Sequence, residues 1–405
     1  MGPKGKGALA INGGTPVRNH PMPDRRALSM EERNSINEAL DYYAATGQDP
    51  GYQNHFEDQY TRTFVELMGD QGFADAVSSG TAALYVAIAA LGLPKHGEVI
   101  VSPITDPGTL NAIILNDLVP VLADATPGSM NVGPDQLAER LSDQTSAIVV
   151  VHCAGKAAEI DAIFEIAASR NIKVIEDCAQ APLAKWKGKP VGTFGDIAAF
   201  STMYRKAFVT GGTGGLVYTL DEDLHHLALA HADRDKPIWH QNVNDRDPTA
   251  YMFPALNFNL DEISCAIGMA SVMRLKDTIS RRLSWVADLS EHLWATSEIC
   301  RPYPFSTKDS PFFVPIIVDL EKLAVSKGEF AEAVMAEGIG LNPDYRFVVS
   351  EWPWIKPYLS DAFECPNAKN FRDGSFNLYL NENYGAKELE DTVAAIVKVE
   401  SHFHV

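Results

Sequence analysis

Between residues 73 and 215, short runs rich in Val and Ile alternate with longer alanine- and leucine-rich stretches of helical length. That alternation predicts an α/β domain built on a mostly parallel sheet. Residues 99–104, 119–123, 147–152 and 173–175 read as buried strands, and 81–91, 108–116, 134–141 and 158–169 as the helices between them. Several of these strands run into polar residues unsuited to a core. Open α/β sheets bind ligands outside the carboxyl ends of their strands, where Thr81, His152, Asp177 and Lys206 fall. A charged helix over 277–295 then leads into mixed strands and helices that end at Val405. The pattern divides the chain into a large first domain, 1–275, and a smaller α+β domain, 276–405. The stretch 22–64 precedes the sheet and is expected to pack over it or over a partner subunit. There is no internal repeat and no low-complexity segment.

Composition narrows the function classes. With 46% hydrophobic and 21% charged residues the chain is an ordinary globular protein, and its 405 residues suffice for two domains. A formal net charge of -19 repels polyanions and argues against nucleic-acid binding, so a nucleotide-linked substrate would need a local basic pocket. Cys153, Cys178, Cys265, Cys300 and Cys365 lie far apart, without the spacing of a metal site or a disulfide framework, which fits a reducing cytoplasm. The opening residues 1–8 lack the apolar core of a signal peptide, and the apolar run 85–93 is well short of the roughly 20 residues that span a bilayer. A soluble protein with no membrane partner is expected.

Three segments carry candidate chemistry. Ser78-Ser79-Gly80-Thr81 joins a strand to a helix through small residues. Such a helix start presents free N–H groups and partial positive charge to a phosphate, or is simply capped by Ser79 or Thr81. Glu176-Asp177-Cys178-Ala179-Gln180 closes a strand with an acid and an amide, able to hold a proton on a ring nitrogen and to bond a ring oxygen, or to form a turn. Phe200-Ser201-Thr202-Met203-Tyr204-Arg205-Lys206 offers an amine for imine chemistry, which needs a lowered pKa, or simply a solvated surface charge. Arg205 either lowers it by like-charge repulsion or sits in a structural ion pair. The glycine run 211–215 precedes a strand at 216–219 instead of opening a helix, so the nucleotide-loop context is missing. Those glycines let a loop pass close to a ligand or make a tight turn.

In order and spacing these segments resemble the DegT/DnrJ/EryC1/StrS family of sugar aminotransferases. The resemblance extends from the opening 9–18 through His152 and Gly155 to Asn257-Phe258-Asn259-Leu260-Asp261-Glu262. It implies the pyridoxal phosphate-dependent transferase fold of type I, a homodimer with shared active sites, and amine transfer from glutamate or glutamine to a keto sugar or ketocyclitol. It further implies that Lys206 forms the Schiff base, that Asp177 pairs with the pyridinium nitrogen, and that Gln180 bonds the phenolic oxygen. Gly80, Thr81 and Ser201 would hold the phosphate, with Asn257 reaching the phosphate of the neighbouring subunit. On composition alone, Asn257 is a loop residue or an N-cap.

Two positions depart from the family pattern: Asp106 stands where an aromatic residue usually stacks on the ring, and Asn259 where arginine is common. Lys206 favours transamination, because the related sugar dehydratases carry histidine there. His152 either contacts substrate or is a packed, hydrogen-bonded histidine. The competing functions are a non-transaminating enzyme with the same cofactor, such as a lyase or epimerase, and a catalytically silent regulatory homologue.

Overall fold

The computed structural model describes residues 8–239, 244, 247–251 and 253–405. Residues 1–7 of the opening stretch examined for a signal peptide lie outside the described residues. The strands of the first half are β1 (Phe73–Val77), β2 (Glu98–Val101), β3 (Val119–Leu122), β4 (Thr145–Val151), β5 (Lys173–Asp177), β6 (Lys185–Trp186), β7 (Lys189–Pro190), β8 (Ile197–Ser201) and β9 (Gly215–Thr219). Apart from the β6–β7 hairpin they form one seven-stranded sheet in the order β1-β9-β8-β5-β4-β2-β3. Strands β8, β5, β4, β2 and β3 are parallel, and at one edge β9 runs opposite to them, pairing antiparallel with both β8 and the edge strand β1. This is the mostly parallel mixed sheet expected from the sequence.

Its strands read as continuous apolar runs because helices cover both faces. In β4, Ala147 and Val149 face the cluster built with α3 (Gly80–Ala90), α4 (Pro107–Ile114), α7 (Glu222–Ala232) and α11 (Pro366–Asp373), and Ile148 and Val150 face the cluster of α5 (Pro134–Ala138) and α6 (Ile160–Ala168) on the other side. Helices α1 (Met30–Thr46), α2 (His55–Leu67) and α8 (Glu262–Met273) form a further layer, in which Phe64 packs edge-on against Phe200 of β8 with ring centroids 4.9 Å apart. The stretch 22–64 thus lies over the sheet, one of the two placements expected for it. Strand β2 stops at Val101, short of the expected 104, just ahead of Pro103, which has no N–H for the ladder. Strand β5 runs past the expected 175 to include Glu176 and Asp177, residues of low strand propensity held by pairing on both sides.

Helix α9 (Leu275–Thr296) leads into a four-stranded antiparallel sheet of β10 (Cys300–Pro302), β11 (Val314–Val318), β12 (Leu341–Asn342) and β13 (Ser375–Leu378), in the order β10-β11-β13-β12. Helices α10 (Lys327–Ala336) and α12 (Ala386–Phe403) share its core, through Phe330, Val334, Ile396 and Val399. Leu9 joins this second core; Glu337 accepts hydrogen bonds from the N–H groups of Ala10 (2.9 Å) and Val17 (3.0 Å), and Arg18 pairs with Asp391 at 2.9 Å. Among the described residues no helix is long and apolar enough to cross a membrane.

Candidate active site

A cavity of about 810 Å³ opens at the carboxyl ends of β5 and β8 and is lined by Gly80, Thr81, Asp177, Gln180, Ser201 and Lys206. Of the residues expected to hold the cofactor, only Asn257 is missing from its wall. Helix α3 starts at this wall because Ser79 caps it, its side chain accepting from the Ala82 N–H at 3.0 Å. The first turn of a helix has no internal acceptors for its N–H groups, so the capped start still offers donors to an anion. A Cβ on Gly80 would lie 2.6 Å from the Ser201 Cβ, so the helix start and the end of β8 meet without room for a side chain. The glycine run serves close approach: a Cβ on Gly214 would fall 2.0 Å from the Thr210 hydroxyl, and one on Gly215 would fall 2.5 Å from the Ser79 carbonyl oxygen.

Asp177 is 4% exposed. Thr109 donates its hydroxyl to Oδ2 at 3.0 Å, and the Ala179 N–H donates to Oδ1 at 3.1 Å. Burial raises the pKa of this carboxyl, with the Ala179 N–H, the charge of Lys206 and Thr109 pulling the other way. Gln180 accepts from the Ala154 N–H at 2.7 Å and donates its NH2 group towards Tyr345 at 3.4 Å. Its carbonyl is therefore committed and its donor end lies on the cavity side with Tyr345.

The Lys206 amine stands 4.6 Å from the centroid of the Phe312 ring. Burial lowers its pKa, opposed by the carboxylates of Asp177 and Asp106. Arg205 fills neither role expected of it: its guanidinium is exposed, lies 5.3 Å over the Tyr204 ring, and forms no ion pair among the described residues. Burial, not like-charge repulsion, favours the free amine.

The remaining sequence candidates fall in other places. His152 is fully buried and absent from the cavity wall; its Nδ1 accepts from the Ala158 N–H at 3.1 Å and its Nε2 bonds Glu176 at 3.0 Å. Glu176 also accepts from the N–H groups of Gly192, Phe194 and Gly195, so His152 is a packed histidine and not a substrate contact. Asp106 caps α4, accepting from the Gly108 N–H at 2.9 Å, and the cavity takes aromatic rings from other residues, Phe312, Phe313, Tyr345 and Phe347 among them. Asn257 is exposed and accepts from both the N–H (3.1 Å) and the side-chain amide (2.9 Å) of Asn259. It is not an N-cap, since Asp261 caps α8. Asn342 and Tyr345 also reach the cavity, whereas Arg346 is exposed and turned to Asp344. Sequence reasoning missed Thr109, Phe312 and Arg25. Thr109 sits one turn into a helix beside the site, a position that a search for partners of Asp177 would have tried.

The model of the DegT/DnrJ/EryC1/StrS aminotransferase family matches residues 31–397. The putative L-glutamine:3-amino-2,3-dideoxy-scyllo-inosose aminotransferase of Micromonospora echinospora is 27% identical over 418 residues, spanning 97% of each chain. The X-ray structure of an aminotransferase from Psychrobacter cryohalolentis superposes with a TM-score of 0.86 at 25% identity, covering 94% of this chain and 99% of that one. A GDP-4-keto-6-deoxymannose-3-dehydratase with a trapped PLP-glutamate geminal diamine shares the fold, with a TM-score of 0.83 at 22% identity over 93% of this chain and all of that one (100%). With the family matched along most of its length, the chain belongs to the DegT/DnrJ/EryC1/StrS aminotransferase family and is a pyridoxal phosphate-dependent aminotransferase of fold type I.

Proposed function

We propose that the enzyme moves the amino group of glutamate or glutamine to the keto carbon of a cyclitol or sugar, free or nucleotide-linked, in amino-sugar or related biosynthesis. The observation that carries this reading is the single cavity that gathers Lys206, Asp177, Gln180 and the α3 helix start. A glutamine-dependent scyllo-inosose aminotransferase aligned over nearly the whole chain supports the donor and acceptor classes. The reaction balances without an oxidant: the donor becomes a 2-oxo acid as the ketone becomes an amine.

Pyridoxal phosphate, when bound, supplies an aldehyde for condensation with amines and a ring that accepts the electron pair released at the substrate carbon. The residues present fit it, since the Gly80–Ser201 contact leaves a side-chain-free cradle at a helix start and a buried acid stands at the end of β5. Gly80, Thr81 and Ser201 would hold the phosphate, Asp177 would keep a proton on the ring nitrogen, and Gln180 would give its NH2 to the phenolic oxygen. Lys206 would hold the aldehyde between turnovers. Its free amine would take the proton from the donor's α-carbon and, in the second half, return a proton to the acceptor carbon. Burial keeps that amine available as a base.

Asn257, exposed and outside its own cavity wall, is assigned to the partner subunit's site in a homodimer. The five free cysteines, all buried, fit a cytoplasmic enzyme. The division at 275/276 belongs to the same proposal, and the start of α9 at Leu275 supports it.

Glutamate or glutamine added without an acceptor is expected to convert the spectrum of the lysine-bound cofactor to that of the pyridoxamine form. A spectrum that persists under both donors would favour a lyase or epimerase. Gly80→Ala forces a Cβ against Ser201 and is expected to cost about 1–3 kcal/mol. Dialysis followed by cofactor assay should show pyridoxal phosphate lost from this variant faster than from wild type; equal retention would remove Gly80 from the phosphate site.

A further inference from the structure

Residues 23–26 form a strap between the turn at 381–383 and the loop that carries Lys206. Asn381 donates its amide to the Pro23 carbonyl (2.8 Å) and Asn383 to that of Asp24 (2.7 Å). The Arg26 N–H donates to Glu382 at 2.8 Å, and the Arg26 carbonyl accepts from Arg274 at 3.1 Å. The backbone is thus pinned on both sides of Arg25, whose side chain reaches the lysine loop. One terminal nitrogen of its guanidinium donates to the Tyr204 carbonyl at 2.8 Å, the other to the carbonyl of Lys206 itself.

Elsewhere the lysine loop is held mainly through its N–H groups, with the Thr202 carbonyl accepting from the Thr210 N–H at 3.1 Å and the two threonine hydroxyls bonded at 2.7 Å. Thr202 donates to the Gly214 carbonyl (2.9 Å), Tyr204 to that of Gly212 (3.3 Å), and Lys206 to that of Met203 within the turn (2.8 Å). Among the described residues, only Arg25 holds the carbonyls of Tyr204 and Lys206. A planar fork that bonds two carbonyls two residues apart fixes the backbone on either side of Arg205 and so sets the direction in which the next side chain leaves the chain. Burial, with Arg282 and Arg274 nearby, pushes the guanidinium down to about 10, Glu382 opposing, so it stays charged at neutral pH. It makes no ion pair within salt-bridge distance among the described residues, and its buried Nε has no partner, a costly arrangement for a purely structural arginine.

We infer that Arg25 is a positioning residue for Lys206: from the strap it clamps the two carbonyls flanking Arg205 and returns the amine to one place in each half-reaction. The inference rests on the role proposed above for Lys206. Because the strap is bonded to the 381–383 turn, the C-terminal part of the chain takes part in aiming the lysine.

Arg25→Ala is expected to lower kcat, by about 10²-fold if the amine is displaced by about 1 Å, with KM for the amino donor nearly unchanged. Added guanidinium ion should restore part of that loss, and Arg25→Lys, which keeps one donor direction, should fall between Ala and wild type. In cofactor-free protein, amide hydrogen exchange across 203–208 should be faster in Arg25→Ala than in wild type. Unchanged kcat, unchanged exchange, or a raised KM at constant kcat would each overturn the inference, the last by making Arg25 a substrate contact. If Arg25→Ala fails to fold, Arg25→Lys carries the same readouts. Borohydride treatment of wild type separates the two levels: no adduct on Lys206 defeats the proposed function, whereas an adduct there with indifferent Arg25 variants defeats this inference alone.

Discussion

Lys206→Ala is expected to lose about 10⁴-fold in turnover, because in the proposed mechanism one side chain both holds the aldehyde and carries the proton in each half-reaction. The variant also loses the absorbance of the lysine-bound cofactor. Its fold survives for an electrostatic reason. A lysine whose pKa is lowered in the folded protein by burial opposes folding while the unfolded chain is protonated, and that opposition disappears as pH rises through the folded pKa to the unfolded value. Cofactor-free Lys206→Ala should therefore melt no lower than cofactor-free wild type at pH 7, with any advantage shrinking towards alkaline pH. Turnover, absorbance and a melting curve at two pH values check the three parts. Retained turnover would move the catalytic amine elsewhere.

Asp177→Asn is expected to lose about 10²- to 10³-fold in kcat, the scale of removing one preorganised, buried electrostatic partner. Asparagine keeps the size and one acceptor oxygen, and the Thr109 hydroxyl can reverse its hydrogen bond to accept from the new amide, so the pocket persists. What is lost is the acid proposed to stabilise charge on the ring nitrogen. The cofactor should stay bound, since the proposed phosphate cradle at Gly80 and Ser201 is formed by other elements, and KM should move less than kcat. Steady-state kinetics on protein of measured cofactor content test this; unchanged kcat would remove Asp177 from the ring nitrogen.

The sheet was legible from sequence because its strands are buried on both faces, which writes long apolar runs into β4 and its neighbours. The candidate site was legible where polar residues sit at a strand or helix end. Ser79-Gly80-Thr81 and Asp177 through Gln180 are short segments whose geometry is set locally and whose positions follow from the parallel order. His152 shows the limit: its place at the end of β4 was readable, but the direction of its ring depends on the Ala158 N–H and on Glu176, partners that packing supplies. Arg25 lay beyond reach for the same reason. It sits in an aperiodic, proline-rich segment, and its acceptors are 179 and 181 positions away along the chain. Asp106 was read through the family pattern as a missing aromatic ring, yet Asp106-Pro107-Gly108 is a local signature of a helix start, and capping is its role.

Borohydride reduction of the purified, cofactor-loaded enzyme, followed by digestion and mass spectrometry, tests the central claim most directly. The reduced cofactor should be found on the peptide containing Lys206 and on no other. A label fixed at a different side chain, or no label on protein shown to contain the cofactor, would contradict the account.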